Sequence, residues 1–264
     1  MAKCSVMGIL NVTPDSFSDG GRYTDVAAAI ARAEEMVADG ADIIDVGAES
    51  TRPGYVPVDP DVEWARLNPV LQHLVAHSPV PISVDTYHAE TAARCIDIGV
   101  QIINDISACA DNRMIAVVRD SDAKYVFMHN RRTTLASLPV EAIVSETALG
   151  VDRLLDGGVR PEQIIVDPGV GFAKTQAQNL ACIREIDQFG HLGYPVLLGT
   201  SRKRVIANVL DVPVDERLEG SLATVAYGAL HGVHIVRVHD VKETARLCRM
   251  LEAVTHVPTR GQEK

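Results

Sequence analysis

Carboxylate, amide and cationic side chains gather at one end of the short apolar runs in this 264-residue sequence. The runs begin with plain residues and end with polar or charged ones. Burying so many polar groups is costly unless they pair with one another or bind a ligand. They divide into an acid and amide set, Asp85, Asn104 and Asp167, and a cationic set, Arg52, Arg202, Lys203, Arg237 and His239.

The acid and amide set has the hydrogen-bonding capacity to recognise a flat, nitrogen-rich heterocycle. A carboxylate accepts two N–H bonds from an amino-pyrimidine edge, and an amide both donates and accepts. The alternative is that Asp85, Asn104 and Asp167 form a structural network beneath the loops.

The cationic set is notable because the chain carries a net charge of −10. A local concentration of cations in an acidic protein predicts an anionic ligand, and guanidinium groups match phosphate oxygens. Asn11 ends the first apolar run and is expected beside this set. Individual polar residues such as Asp45, Asp240 and His129 could instead tie loops together or cap helices.

Eight apolar runs predict the strands that carry these residues. Their continuous apolar character is typical of strands that are buried on both faces, as in a parallel sheet. The runs are Val6–Thr13, Ile43–Ser50, Pro81–Tyr87, Ile102–Ser107, Lys124–Asn130, Ile164–Phe172, Pro195–Arg202 and His234–Asp240.

Helical segments follow the strands in regular alternation. They are Asp25–Asp39, Asp61–His77, His88–Ile98, Asn112–Asp122, Val140–Asp156, Gln176–Phe189, Leu218–Leu230 and Val241–His256. The pattern predicts an α/β protein, a (β/α)8 TIM barrel formed by one domain over residues 1–256, with a polar tail at 257–264. All eight polar strand ends then meet at one mouth, where barrels commonly bind phosphate. An open doubly wound sheet is the alternative, but no Gly-x-Gly-x-x-Gly follows the first strand.

Composition limits the function classes. The acidic charge argues against a general nucleic-acid partner, and no apolar run is long enough to predict a membrane span. No basic and apolar leader precedes the first strand, so we expect a cytoplasmic protein. Five widely spaced cysteines favour reduced thiols over disulfides or a thiolate zinc site. Zinc-hydrolase, P-loop and α/β-hydrolase motifs are not found.

Five stretches also resemble the dihydropteroate synthase family, in the order in which that family carries them. They are Met7–Gly21, Asp45–Gly54, Asp167–Phe172, Ser201–Lys203 and Arg237–Asp240. The resemblance implies condensation of 6-hydroxymethyl-7,8-dihydropterin diphosphate with 4-aminobenzoate, giving 7,8-dihydropteroate and pyrophosphate. It further implies a requirement for Mg²⁺ and a homodimer formed through helices late in the chain.

The same resemblance implies roles for individual residues. The pterin set is Asp85, Asn104, Met128, Asp167, Lys203 and Arg237, of which Asp85, Asp167, Lys203 and Arg237 would be catalytic. The pyrophosphate set is Asn11, Thr51, Arg52, Arg237 and His239, and Asn11 would also hold the metal. The aminobenzoate set is Phe17, Pro53, Phe172, Ser201 and Lys203.

The bond to be broken joins carbon to a pyrophosphate oxygen, and pyrophosphate leaves readily once its charge is balanced. We therefore expect a dissociative displacement in which the protein positions and stabilises charge, without a covalent intermediate. Ala48, Arg204 and Ala207 depart from the family pattern and bear on the aminobenzoate pocket and the barrel floor. Two alternatives remain: a pterin-dependent methyltransferase barrel and a catalytically silent pterin-binding paralogue.

Overall fold

Eight parallel strands form the centre of the molecule in a computed structural model that describes residues 3–12, 22–49 and 58–256. The strands are β1 (Ser5–Asn11), β2 (Ile43–Gly47), β3 (Ile82–Asp85), β4 (Ile102–Asp105), β5 (Lys124–Met128), β6 (Ile164–Asp167), β7 (Leu197–Leu198) and β8 (Ile235–Val238).

Ten α-helices surround these strands. They are α1 (Arg22–Asp39), α2 (Pro60–His77), α3 (Ala89–Asp97), α4 (Arg113–Arg119), α5 (Val140–Asp156), α6 (Gln176–Arg184), α7 (Asp187–Gly190), α8 (Arg204–Leu210), α9 (Leu218–Leu230) and α10 (Val241–Thr255), as counted in the described ranges. In that same part of the chain, no helix is both long and apolar enough to cross a membrane.

Strand pairing follows the order β6-β5-β4-β3-β2-β1-β8-β7. A single parallel bridge between Val166 and Val196 joins the two ends of this sheet, and the N–H of Val166 donates to the carbonyl of Pro195 at 2.9 Å. The sheet therefore curls into a nearly closed barrel with its helices outside. The predicted (β/α)8 fold is confirmed.

The predicted bounds differ most from the structure between β6 and β8. The run Ile164–Phe172 stops being a strand at Asp167, because Pro168 has no N–H and Gly169 and Gly171 have φ values of 67° and 91°. The run Pro195–Arg202 contains only the two-residue strand β7. The segment Gln176–Phe189 divides into α6 and α7, and helix α8 was not predicted.

An apolar layer fills the lower part of the barrel interior. Because side chains alternate between the two faces of a strand, one residue from most strands contributes to this layer. Its members are Met7, Ile43, Ile102, Val126, Ile165, Leu197 and Ile235. A second, larger core lies between the strands and the helices and is built from the residues that alternate with them.

Candidate active site

A polar layer lies two residues beyond the apolar layer on each of four strands. Ile43, Ile102, Ile165 and Ile235 are followed on the same face by Asp45, Asn104, Asp167 and Arg237. Parallel register places Asp45 opposite Ile9 and Asp85 opposite Asn104. The barrel interior therefore changes from hydrocarbon to charge within one side-chain step.

Arg237 links three strands through its guanidinium group. Its Nε donates to Oδ2 of Asp45 at 2.6 Å, and its Nη2 donates to Oδ2 of Asp85 at 2.7 Å. Asn104 Nδ2 donates to the same Asp45 oxygen at 3.2 Å. Asp45 is completely buried and Asp85 is 7% exposed. One cation and one amide thus hold two buried carboxylates at the level of the polar layer.

Burial dominates the ionisation of this layer. It raises the pKa of Asp85 to about 7, although the nearby Arg237 acts in the opposite direction. Burial also raises the pKa of Asp167, opposed chiefly by Lys203 and by a hydrogen bond from the backbone of Gly169. Both carboxylates are therefore easier to protonate than an exposed aspartate.

The loop after β6 connects Asp167 to Lys203. Gly169 N–H donates to Asp167 Oδ1 at 2.7 Å, and Lys203 Nζ donates to the carbonyl of Val170 at 2.7 Å. The same ammonium lies 4.8 Å from the centre of the Phe172 ring, a cation–π distance. Burial lowers the pKa of Lys203 to about 8, against the raising effect of Asp167.

Glycine positions leave room for this lysine. A Cβ on Gly171, which has a φ of 91°, would come within 3.2 Å of Lys203 Cδ, and one on Gly199 would lie 3.6 Å from Lys203 Nζ. Lys203 itself is extended and immediately precedes α8. Its position therefore depends on the backbones of two loops rather than on a strand.

Ser201 and His239 form a second pair at the mouth. Ser201 Oγ lies 3.0 Å from His239 Nδ1 and accepts a bond from the His239 backbone N–H at 3.1 Å. Burial, followed by Arg237 and Arg202, lowers the pKa of His239 to about 4. His239 is therefore a neutral imidazole near pH 7, not one of the cations that the sequence suggested it could supply.

Arg202 is also less available than its sequence position suggested. Its Nε donates to Asp240 Oδ2 at 3.0 Å, and a second contact joins its Nη2 to the other oxygen of that carboxylate. The pairing neutralises Arg202 at the rim, where its side chain is 39% exposed. Of the cationic set predicted from the sequence, Lys203 and Arg237 are the described members that keep their charge toward the barrel interior.

Lys174 clamps the β5 and β6 loops together. Its ammonium lies 2.9 Å from His129 Nδ1 and donates to the carbonyls of Gly169 at 3.0 Å and of Phe172 and His129 at 3.2 Å. His129 is 4% exposed, and its Nε2 lies 2.9 Å from Glu146 Oε2. Burial lowers the pKa of Lys174 to about 8. This lysine satisfies three loop carbonyls at once.

We expect Lys174→Met to weaken catalysis by about tenfold to a hundredfold, since misplacing a positioning loop by a fraction of an ångström has costs of that order. The effect should fall on the KM for a ligand that contacts Phe172 more than on binding to the layer around Asp85. Steady-state kinetics, with KM determined separately for each of the two ligands, measure this difference. Lys242→Met, which removes a surface ion pair with Asp39 at 3.5 Å, is the matched control. It should leave kcat and KM unchanged.

The structure brings together most of the residues that the sequence singled out. Asp85, Asn104, Met128 and Asp167 are buried at the strand ends, and Lys203, Arg237, Phe172, Ser201 and His239 surround them. Asn11 ends β1 with an exposed side chain. Phe17, Thr51, Arg52 and Pro53 lie outside the described residues.

Two residues of this network were missed by sequence reasoning. Asp45 was treated as a residue that could equally tie loops together, yet it accepts bonds from both Arg237 and Asn104. Its inward spacing from Ile43 was the signal available. Lys174 gave no signal because its partners are backbone carbonyls.

Comparisons with known proteins identify relatives of nearly the whole chain. A family model described as pterin binding enzyme matches residues 7–239. The dihydropteroate synthase of Bacillus subtilis is 48% identical over 253 residues, which are 96% of this chain and 89% of that relative. The Clostridium beijerinckii enzyme of the same name is 43% identical over 251 residues, covering 94% of this chain and 93% of that relative.

Solved structures give the same result. A dihydropteroate synthase from Clostridium difficile, crystallised in the presence of pteroic acid, has a TM-score of 0.93 and 44% identity, covering 97% of this chain and 98% of that chain. A Xanthomonas albilineans dihydropteroate synthase with 4-aminobenzoic acid has a TM-score of 0.90 and 36% identity, covering 97% and 94%.

Proposed function

Because this chain belongs to the dihydropteroate synthase family of pterin-binding transferases, we propose that it joins 6-hydroxymethyl-7,8-dihydropterin diphosphate to 4-aminobenzoate, releasing pyrophosphate. The observation that carries the proposal is the polar layer, in which Asn104, Asp167 and Arg237 lie beside Asp85 above an apolar floor. Such a layer can recognise the edge of a flat heterocycle while the floor excludes water.

The pterin is recognised by the interior carboxylates and amide in this proposal. Asp85 and Asp167 accept N–H bonds from the pyrimidine edge, and Asn104 offers its free carbonyl while its amide donates to Asp45. Met128 packs against the ring from β5. Arg237 moves its Nη2 away from Asp85 to stack on the ring, and its bond to Asp45 holds it in place during that movement.

The diphosphate is bound at the mouth beside Arg237 and His239. A neutral His239 donates from Nε2 to a phosphate oxygen while its Nδ1 stays with Ser201. Asn11 lies exposed at the end of β1, and the family resemblance assigns it to this site together with Thr51 and Arg52. Arg237 supplies the positive charge that balances the diphosphate. Burial acts to lower its pKa, but Asp45 and Asp85 raise it, so the guanidinium stays charged.

Mg²⁺ fits this set of donors. Among the described residues, no cluster of three or more His, Cys, Asp or Glu side chains could hold a metal. Mg²⁺ commonly uses one or two protein oxygens and takes its other ligands from water and phosphates, and the exposed Asn11 amide can supply one such oxygen. When bound there, the ion would balance the charge of the departing pyrophosphate.

Aminobenzoate binds beside the β6 loop in this proposal. The Phe172 ring, with the Lys203 ammonium 4.8 Å from its centre, provides one wall of the pocket, and Ser201 contributes from the loop after β7. By the family resemblance, Phe17 and Pro53 would complete the pocket. The amine of this substrate attacks the carbon that pyrophosphate leaves.

The chemistry needs charge stabilisation rather than a nucleophilic side chain. As the carbon–oxygen bond lengthens, positive charge develops on the pterin carbon, and the nearby Asp85 and Asp167 carboxylates stabilise it. Lys203 and Arg237 hold the two substrates in line for the attack. The displacement is therefore dissociative, with the four residues as its catalytic set.

Pyrophosphate release in the presence of both substrates tests the proposal. We expect release that depends on aminobenzoate and gives one dihydropteroate per pyrophosphate. Pterin binding without release at high protein concentration would instead support a silent paralogue. Methyl transfer from a methylated pterin to a corrinoid, without pyrophosphate, would support a methyltransferase.

The pKa values predict a narrow pH optimum. Asp85 accepts N–H bonds when ionised, and its pKa of about 7 places the acid limb there. Lys203 loses its proton above its pKa of about 8, which sets the alkaline limb. We expect a bell-shaped profile of kcat/KM for the pterin diphosphate between those values. A flat profile from pH 6 to 9, measured in buffers of constant ionic strength, would contradict it.

Assembly and location complete the proposal. The homodimer through late helices follows from the family resemblance, and it is compatible with the large apolar side chains exposed on those helices and nearby turns. They are Val209, Leu210, Val214, Leu230, Met250 and Val254. Sedimentation velocity tests the dimer. Cytoplasmic location and a single domain over 1–256 remain predictions from the sequence.

A further inference from the structure

A cavity of about 310 Å³ lies at the amino-terminal end of the barrel, opposite the polar layer. It is bounded by the start of β1, the turn that precedes β2 and one side of α10. Its walls include two cysteines, Cys4 and Cys248, and its charged lining residues include Lys3, Asp42, Arg249 and Glu252. The proposed reaction at the mouth uses none of these groups.

The two cysteines come from opposite ends of the chain and meet in this cavity. Cys4 directly precedes β1, and Cys248 lies in the middle of α10, which packs on β1. Both thiols line the same cavity, close enough for each to shift the pKa of the other. Cys4 is 5% exposed whereas Cys248 is half-buried, so a reagent in the cavity reaches Cys248 first.

The other cysteines have different surroundings. Cys95, Cys109 and Cys182 are each completely buried in the core between strands and helices. Burial raises the pKa of each of these thiols, which disfavours the reactive thiolate. Reactivity is therefore expected at the cavity pair.

We propose that Cys4 and Cys248 form a thiol–disulfide exchange site for small disulfides of the glutathione class, with Cys248 as the attacking and Cys4 as the resolving residue. The Cys248 thiolate attacks one sulfur of the small disulfide, a mixed disulfide forms, and one small thiolate leaves. The Cys4 thiol then loses its proton to solvent and attacks the Cys248 sulfur, so a protein disulfide forms and the second small thiolate leaves. Two protein thiols are oxidised and one small disulfide is reduced.

Local electrostatics support this order of events. The neighbouring Cys4 thiol lowers the pKa of Cys248, against burial and Asp42. The Cys248 thiol and burial raise the pKa of Cys4. Lys3 pairs with Asp42 at 2.6 Å and so offsets the nearby carboxylate. Cys248 is also the less buried of the two, so its thiolate is the better solvated and the more accessible to a reagent, as an attacking residue must be.

A cross-link here would join the first strand to the last helix. It would close nearly the whole chain into one loop and so restrict the unfolded state. Because the cavity lies at the opposite end of the barrel from Asp85 and Arg237, oxidation should leave substrate binding unchanged. The inference does not depend on the function proposed above.

Oxidised glutathione is the probe that tests the site. The reduced full-length chain is incubated in glutathione buffers of increasing oxidised fraction and analysed by intact mass and non-reducing peptide mapping. We expect loss of two hydrogens, a Cys4–Cys248 peptide, reversal by dithiothreitol and a higher melting temperature. Cys4→Ser should accumulate one glutathione on Cys248. Cys248→Ser should react with oxidised glutathione at least about tenfold more slowly than the unchanged protein.

Cys182→Ala is the matched control and should behave like the unchanged protein. If a serine variant fails to fold, the corresponding alanine variant replaces it, and peptide mapping of the unchanged chain tests the pair without any substitution. Three results would overturn the proposal: a disulfide that involves another cysteine, a stable mixed disulfide in the unchanged protein, or undiminished reaction of the Cys248 variant.

Discussion

Arg237→Leu is expected to lower the free energy of unfolding by about 3–5 kcal/mol, the usual cost of removing one partner from a buried ion pair. The substitution leaves Asp45 fully buried and Asp85 7% exposed, without the guanidinium that both contact. Urea unfolding at pH 7.5 measures the loss. The same variant should reduce kcat/KM by at least about a hundredfold, because the cation beside the leaving group is removed.

The pairing itself can be isolated with two further variants. Arg202→Leu removes a guanidinium from a partly exposed pair with Asp240 at the rim and should cost about 1 kcal/mol or less. Combining Arg237→Leu with Asp45→Asn should recover part of the lost stability, since one uncompensated carboxylate disappears. If the two arginine variants lose equal stability, the interior network does not bear on folding as argued here.

Asp85→Asn should separate activity from stability. The amide keeps the shape of the carboxylate but can no longer accept two N–H bonds, so kcat/KM for the pterin diphosphate should fall by about a hundredfold to a thousandfold. The free energy of unfolding should rise in the same variant. The replaced group is a buried acid whose pKa rises from 3.8 to about 7 on folding.

The sign of the stability change follows from proton binding. Between pH 4 and 7 the folded protein holds more protons at Asp85 than the unfolded chain, so the contribution of Asp85 to stability falls as the pH rises and reaches its minimum above pH 7. Asp85→Asn should therefore stabilise the protein most at pH 8, by about 1 kcal/mol or more, and less at pH 5. Thermal unfolding at both pH values gives the comparison.

Asp105→Asn is the matched control for that variant. Asp105 is also fully buried, and burial raises its pKa, but it accepts bonds from Tyr125 at 2.6 Å and from Ser107 N–H at 2.7 Å on the other face of β4. Folded Asp105→Asn should keep its kcat/KM. A comparable loss in the two variants would mean that the effect of Asp85→Asn is structural.

The barrel and much of its mouth could be read from the sequence because both depend on local patterns. A continuous apolar run predicts a buried parallel strand, and a polar residue at its end predicts a side chain at the mouth. Asp85, Asn104 and Asp167 were found in this way. Strand length was less predictable where Pro168 and the glycines after it end β6 early.

The contacts within the mouth could not be read in the same way. Arg237 and Asp45 are 192 residues apart, and no local pattern records which carboxylate a distant guanidinium selects. Lys174 donates to backbone carbonyls, which every residue carries, so no residue type in the sequence identifies its partners. Its role can be recognised only from the folded positions of the loops. The low pKa of His239 likewise arises from burial and from neighbouring arginines rather than from its position in the chain.

The junction between β6 and β7, the seam where the barrel closes, has a consequence for local opening of the barrel. Among the strand pairs that the structure describes, this one is joined by the single bridge from Val166 to Val196, so local opening should begin there at the lowest free energy. Asp167 is the last residue of β6, and Lys203 lies in the loop after β7. A pterin that contacts both residues would bridge the seam and stabilise the closed barrel. The closed barrel would in turn bind the pterin more tightly.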